Sequence, residues 1–483
     1  MNISHFYHFI QRKNGKNLAF FVSTDYYEIR MKRLFIQKLV EWKNRPDKKP
    51  LLIYGARQVG KTWVMKEFGR SQYENTAYIM FEKNLRMKEL FSGDMDIQRL
   101  LAGLEIETAQ KINPQTTLII FDEIQACKNA LASLKFFYEN APEYNIVAAG
   151  SLLGVLLGDE EEYSFPVGKV EFMTMYPMSF YEFLMAMGEE GLCDLLNKRD
   201  YNLIKTFKDK FISYLRTYFY VGGMPEPVSK FVNGGDFAAA RKVQNEILTS
   251  YQEDFSKHIP ALTLPQVLKI WDSIPAQLAR ENKKFFYSEV QKGAKAKNYE
   301  DAIMWLVRSG LIYRVDRIAK PATPLRSYAN TGAFKLFVVD VGLLSAMSLL
   351  NVRTLLEGDA LFTEFKGALT EQFVCQEMHA NNIEDIAYWA NRDETVETDS
   401  GKIKASNRMS EVDFILQSEN NGVIPLEVKA ATNLKAKSLK VYMEKHKPVM
   451  AIRSSLADYY KNGNLYDVPL YALTGLKGII EGD

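Results

Sequence analysis

Two widely separated stretches carry residues whose types and spacing could do chemistry. The first is GARQVGKT, Gly55 to Thr62, which fits G-x-x-x-x-G-K-[ST] in full. A loop of this kind wraps phosphates with the backbone N–H groups of Gly55, Gln58, Val59 and Gly60. The partial positive charge of the following helix N-terminus adds to the attraction. Lys61 is placed to reach the β- and γ-phosphates, and Thr62 to give a hydroxyl to Mg²⁺. LIIFDEIQ supplies the second half. Asp122 stands at the C-terminal end of an apolar strand, where ligands bind in open α/β sheets, and is expected to hold Mg²⁺ directly or through water. Glu123 is the expected base that orients the attacking water. NIVAAGS ends in Gly150-Ser151. Ser151 could contact the γ-phosphate or its water, or simply close a strand-end turn. The expected ligands are ATP, with GTP as an alternative, and Mg²⁺.

The second stretch is SEVDFILQSENNGVIPLEVKA, Ser410 to Ala430. It reads as two strands joined by a polar turn. Side chains alternate along a strand. Asp413 and Ile415 should therefore share a face opposite Val412 and Phe414. Glu427 and Lys429 should point together, away from Ile424, Leu426 and Val428. A hairpin can set Asp413 beside Glu427, and such carboxylates bind Mg²⁺ through oxygen while the lysine positions a water. The arrangement is similar to the PD-(D/E)xK nuclease pattern. That resemblance implies a further glutamate from an earlier helix, Glu371 in GALTEQFVCQEM or, second, Glu364. Short D…E-x-K patterns also arise by chance, as a strand pair with an incidental Glu427–Lys429 ion pair.

The elements that must position these residues follow from periodicity. LLIYG, TAYIMFEKN, TTLIIFDEIQ and YNIVAAGS are short apolar runs alternating with the helical patterns TWVMKEFGR and LASLKFFYEN. Such alternation predicts a parallel sheet covered on both faces. Amphipathic helical segments dominate up to Lys257. LPQVLKIWDSIPAQLA, SEVQKGA and NYEDAIMWLVRSGLIYRVDRI then give helices and a β pair, the outline of a winged helix. ETDSGKIKASNRMS, 397–410, is expected to be a polar loop. The predicted organisation is an N-terminal extension over 1–30, an ATPase core over 31–190, a helical lid over 191–257, a winged-helix-like segment over 258–334 and a C-terminal nuclease-like domain over 335–483. The helical pattern begins just after Met31, so a natural start at Met31 is one expectation.

Composition narrows the class. The 483 residues are 47% hydrophobic and 25% charged with a net charge of +2, an ordinary globular balance that does not indicate a strongly basic nucleic-acid binder. Three dispersed cysteines, Cys127, Cys193 and Cys375, exclude a disulfide framework or zinc knuckle and fit a reducing, cytoplasmic setting. LFVVDVGLLSAMSLL is too short for a membrane span and carries Asp340. The lysine-rich segment KAATNLKAKSLKVYMEKHK would suit a phosphate backbone, or equally a solvated helix face. DNA, a protein partner and a second copy of the chain remain open as partners, and a membrane is not expected.

From Met31 to the end the chain resembles the AAA-type ATPases of bacteria and archaea whose core is followed by a C-terminal domain of unknown function. The markers are KPLLIYGARQVGKT, IIFDEIQ, AAGSLLG, FPVGKVEFMTMYPMSFYEFL, YVGGMPEPV, DVGLL and the pair EVDF with PLEVK. The resemblance implies an ATPase core, a helical lid and a winged-helix-like segment. YVGGMPEPV is similar to the Gly-x-Pro element of signalling-type ATPases, which implies that Gly223 and Pro225 close against the nucleotide base or sugar. A helix-breaking turn is the plainer reading. Relatives often show Gly-Arg where this chain has Gly168-Lys169, so an arginine that acts in trans would be replaced here by a monodentate lysine. Arg57, Arg199 and Arg216 are the other cations near these elements. A nucleotide-switched interaction or sensor protein and an ATP-regulated nuclease are the alternatives to an ATPase that controls its C-terminal module.

Overall fold

The computed structural model describes residues 31–151, 153, 166–281, 283–353, 363–392, 409–432 and 434–482, together with short strands at 9–13, 16–20, 395–397 and 403–405. The first two strands, β1 (Phe9–Lys13) and β2 (Lys16–Phe20), form an antiparallel ladder of their own. The rest of the extension before Met31, and the start proposed there, lie outside the described residues.

Helix α1 (Phe35–Asn44) leads to β3 (Leu51–Tyr54), whose first three residues are fully buried. The phosphate-loop sequence joins β3 to α2 (Lys61–Gln72). Four further strands complete a five-stranded sheet: β4 (Asn75–Met80), β5 (Thr117–Asp122), β6 (Asn145–Ala149) and β7 (Glu171–Thr174). Its order is β4-β5-β6-β3-β7 and every pairing is parallel. β5 and β6 are buried at each residue, as strands covered on both faces must be. Only β7 lacks a legible signal, because the run EFMT is short and none of its residues is buried.

A helical region follows, with α3 (Lys208–Val221), α4 (Pro225–Gly234) and α5 (Phe237–His258). Helices Leu264–Leu278, Tyr287–Val290 and Glu300–Arg308 come next, then the antiparallel pair β8 (Ile312–Ile318) and β9 (Ala329–Val338). This pair is not confined to the segment 258–334. β8 pairs in parallel with β10 (Ile386–Arg392), so both strands are built into the C-terminal sheet and residue 334 falls inside β9.

After β9 come α6 (Val341–Met347) and α7 (Thr363–Ala380). The polar stretch expected to be a loop begins at the last residue of β11 (Thr395–Glu397) and holds β12 (Ile403–Ala405), which pairs antiparallel with β11. Next are β13 (Met409–Ser418), β14 (Gly422–Val428), α8 (Lys437–His446), β15 (Ala451–Ser455), β16 (Tyr460–Asn462) and β17 (Leu465–Pro469). They assemble an eight-stranded mixed sheet of order β16-β17-β15-β14-β13-β10-β8-β9.

α7 is the axis of this half. Residues 371–378 are buried without interruption, which puts four polar side chains, Glu371, Gln372, Gln376 and Glu377, inside the protein. Buried polar groups must find partners. Gln372 accepts from Val338 N at 2.8 Å and donates to Val338 O, and one turn on Gln376 accepts from Val341 N at 2.8 Å. The i, i+4 pair thus caps the backbone that leaves β9. Among the described residues no helix is long and apolar enough to cross a membrane.

Candidate functional sites

The loop 55–62 takes a shape that only its own residues permit. Gly60 sits at φ 95° as the N-cap of α2, and Gly55 at φ 141° lies so close to Met175 O that a Cβ would stand 2.2 Å from it. Gln58 also takes a positive φ, 66°. Lys61 is buried and donates to Gly55 O at 2.7 Å and Ala56 O at 2.8 Å. Burial pushes its ammonium down to about 8.

Thr62 and Asp122 are brought together as their spacing suggests. Thr62 Oγ1 donates to Asp122 Oδ2 at 2.8 Å. Tyr78 OH donates to the same oxygen at 2.8 Å from the neighbouring strand, a partner that no motif announced. A hydroxyl and a carboxylate oxygen are the hard donors that Mg²⁺ prefers. Glu123 follows in the left-handed region, φ 48°, and its Oε2 accepts from Gln125 Nε2 and, at 3.3 Å, from Ser151 Oγ. Ser151 therefore reaches the carboxylate expected to orient water.

Pro225 opens α4 at its first position and faces the loop, with Cγ 3.4 Å from where a Gly60 Cβ would be. Met31, Arg33, Gly60, Trp63, Pro225 and Ser229 line a cavity of about 370 Å³ beside the loop. That lies within the usual size of small-molecule sites. Gly223 N donates to Asp340 Oδ2 at 2.6 Å, and Gly223 O accepts from Met178 N at 2.7 Å. A Cβ on Gly223 would stand 2.1 Å from Met178 O.

Arg33 was not singled out from the sequence, yet it ties this region together. Its guanidinium donates to Val59 O at 2.8 Å, Tyr176 O at 2.7 Å and Glu182 Oε1 at 3.1 Å. Glu182 accepts from Ser179 N and returns the capping box of helix Phe180–Ala186. The legible signal was a basic residue immediately before an apolar helical face.

The other cations have partners of their own. Arg57 pairs with Asp254 of α5, and Tyr251 OH donates to Arg57 O at 2.9 Å. Lys169 pairs with Glu139 at 3.1 Å just before β7. It is thus at the end of the sheet opposite the phosphate loop of its own chain. Arg199 packs against Gly475 and Gly478, and Arg216 lies on α3.

In the C-terminal sheet, the expected hairpin forms and Asp413 Oδ2 accepts from Val428 N at 2.8 Å, between Glu427 and Lys429. Lys429 Nζ donates to Glu427 Oε1 at 2.6 Å. Strict alternation along β13 does not hold. The β10 pairing shifts so that Ala387 faces Ile415 while Trp389 faces Val412, and two residues, Asp413 and Phe414, oppose Tyr388 alone. Val412 and Ile415 consequently pack in one cluster, and Phe414 and Leu416 in another. Asp413 does not share a face with Ile415 opposite Val412, because this bulge resets the period.

Glu371 enters the same neighbourhood from α7, but its carboxylate is already engaged, by Lys283 at Oε1 and by Lys335 at 3.5 Å from Oε2. Burial and the charges of Glu371 and Glu427 hold Asp413 well above the carboxylate range. Lys283, Lys335 and Glu411, which pairs with Lys335 at 2.6 Å, were not foreseen. A lysine inside the apolar run AFKLFVV was the available signal. The Glu364 side chain lies outside the described residues. Among the described residues no group of three His, Cys, Asp or Glu side chains is arranged to hold a metal ion, and the charges of Glu371 and Glu427 both act on Asp413.

Glu377, the residue after Gln376 on α7, offers a pH test. Its Oε1 accepts from Phe180 N at 2.6 Å, while Oε2 is buried with no partner among the described residues. Burial and nearby Glu182 push it up to about 8. Between the ordinary carboxyl value and that point the folded protein keeps a proton that the unfolded chain has released. Stability should therefore fall as pH rises through this window, by up to ~1.4 kcal/mol per pH unit, and level off above it. Glu377→Gln removes the effect. The melting-temperature gap in favour of the variant should widen between about pH 5 and pH 8, whereas a constant gap would mean no proton is held.

Residues 47–184 match the AAA domain family. The AAA domain is followed by a match to a domain of unknown function, DUF8612, over residues 212–354 and to a second, DUF4143, over residues 402–473. No curated protein matches the chain. Similar solved structures include the Walker-type ATPase PABY2304 of Pyrococcus abyssi, 16% identical with TM-score 0.44 over 66% of this chain and 97% of that one. The ORC2 protein of Aeropyrum pernix is 12% identical with TM-score 0.35 over 70% and 94%. Cdc6p from Pyrobaculum aerophilum is 10% identical with TM-score 0.26 over 68% and 96%. The chain is an α/β protein with an AAA-type ATPase domain, a helical region and a C-terminal mixed sheet.

Proposed function

We propose that the protein is a Mg²⁺-dependent ATPase whose nucleotide cycle controls its C-terminal module. The observation that carries this is the Asp340 carboxylate. It accepts from Gly223 N, two residues before the Pro225 that faces the phosphate loop, and from Gln376 Nε2 of α7 at 3.1 Å. The same α7 carries Glu371 into the C-terminal charged cluster. Movement of Pro225 against a bound nucleotide would reach α7 through one buried carboxylate.

In the reaction, Lys61 binds the β- and γ-phosphates in exchange for its two loop carbonyls. Thr62 and Asp122 would hold Mg²⁺, which neutralises phosphate charge when bound. Glu123, steadied by Gln125 and Ser151, orients water and takes its proton as the γ-phosphorus–oxygen bond breaks to give ADP and phosphate. The cavity beside Trp63 and Pro225 would take the base or sugar.

The C-terminal half supports a PD-(D/E)xK-like reading. Helix α7, antiparallel β10-β13-β14, helix α8 and then β15 parallel to β14 succeed one another in the chain and in the sheet. The three helices before the β8–β9 pair support a winged-helix reading in the same way. A second function, a nucleotide-switched interaction or sensor protein on an inactive scaffold, is favoured by the lysines that already engage Glu371. Turnover of ATP with Mg²⁺ tests the main reading. Release of phosphate that vanishes on chelation supports it, and protein that neither binds nor hydrolyses ATP would sink it.

A further inference from the structure

The nuclease-like arrangement of the C-terminal module implies a divalent cation among Glu371, Asp413 and Glu427, and the side chains present do not fit one. Lys335 stands in the middle of β9 with no exposure at all, an environment in which lysine is almost never found unless paired. Its Nζ lies 2.6 Å from Glu411 Oε1 and 3.5 Å from Glu371 Oε2. It also sits 5.0 Å from the centroid of the Tyr388 ring. Lys283 takes the other oxygen of Glu371. Lys429 takes one oxygen of Glu427, and Val428 N donates to Asp413. A divalent ion needs carboxylate oxygens at about 2.0–2.6 Å, and it would meet an ammonium at both oxygens of Glu371. One carboxylate atom breaks the pattern of satisfied pairs: Glu427 Oε2 is buried and has no partner among the described residues.

We infer that Lys335 is a built-in cation that takes the place of a divalent metal ion between Glu371 and Glu411, closing the C-terminal cluster to metal in the native protein. The carboxylates are then held by charge from within the chain. The module's polar centre is neutralised from within and needs no ion to fold. Removing the Lys335 charge strips Glu371 Oε2 and Glu411 Oε1 of the ammonium they share, with Asp413, whose charge also acts on Lys335, close by, and a divalent cation becomes the group that can fill its place. The inference concerns the C-terminal module alone and stands or falls apart from ATP hydrolysis.

The experiment is titration of the nucleotide-free full chain with Mn²⁺, followed by the loss of the free-ion electron paramagnetic resonance signal. Native protein, Lys335→Met, Asp413→Asn and the double variant Lys335→Met/Asp413→Asn are compared, with circular dichroism as the check on folding. The native protein and Asp413→Asn should give the same curve. Lys335→Met should gain one Mn²⁺ at least about tenfold tighter than native, and the double variant should lose it; a tenfold change is ~1.4 kcal/mol. Mn²⁺ binding by the native protein that Asp413→Asn removes would overturn the inference. So would a folded Lys335→Met that gains no site. Where Lys335→Met fails to fold, the comparison of native protein with Asp413→Asn decides: a shared curve supports the inference and a difference overturns it.

Discussion

Lys61→Ala is expected to abolish nucleotide binding, and Glu123→Gln to keep binding while slowing hydrolysis by about 10²–10⁴-fold. The two differ because they touch different parts of the site. Lys61 is the one ammonium within the loop, and it donates to Gly55 O and Ala56 O. Alanine removes the charge that phosphate oxygens would exchange for those carbonyls. The Glu123 carboxylate accepts from Gln125 and Ser151, outside the loop. Glutamine keeps that geometry and loses only the ability to take a proton. Equilibrium binding of a labelled ATP and steady-state phosphate release measure the two effects separately. Loss of binding in Glu123→Gln, or unaltered turnover, would show that this carboxylate is not the base.

Arg33→Met is expected to cost about 3–5 kcal/mol of stability, because it strands Glu182 as a buried charge. Arg33 and Glu182 side chains are only 5% and 6% exposed. Glu182 keeps donors from Leu34 N at 2.7 Å and Ser179 N at 3.0 Å, but these offset a bare carboxylate only in part. A loss of that size is a large share of a typical folding free energy of roughly 5–15 kcal/mol. The same change frees Val59 O, so nucleotide affinity should fall as well. The double variant Arg33→Met/Glu182→Gln removes the stranded charge and should lose less than Arg33→Met alone. Urea unfolding midpoints read the difference. Equal losses in the single and double variants would mean that the ion pair is not the source of the cost.

The phosphate loop, Asp122 and Glu123 were legible because each depends on local sequence: a loop between an apolar run and a helix, and acids at the end of a second apolar run. The hairpin around Asn421 was legible for the same reason. What could not be read was set by partners distant in the chain. Arg33 meets Glu182 across 149 positions, and Glu377 meets Phe180 N across 197. Lys335 is visible as a charge in an apolar strand, but only the fold brings Glu371 and Glu411 to it. The parity of Asp413 followed from a shift in pairing with β10, which strict alternation within one strand cannot express. β8 and β9 read as a local pair. Their place in the large sheet depends on β10, far later in the sequence.

In the proposed cycle a nucleotide at the AAA domain is felt by α7. Hydrogen–deuterium exchange of Glu123→Gln with and without Mg²⁺–ATP tests it most directly. Coupling through Gly223, Asp340 and Gln376 predicts altered exchange in residues 341–347 and 363–380 as well as in the loop 55–62. Protection confined to residues 55–62 and 225–234, with α7 unchanged at saturating ATP, would contradict it.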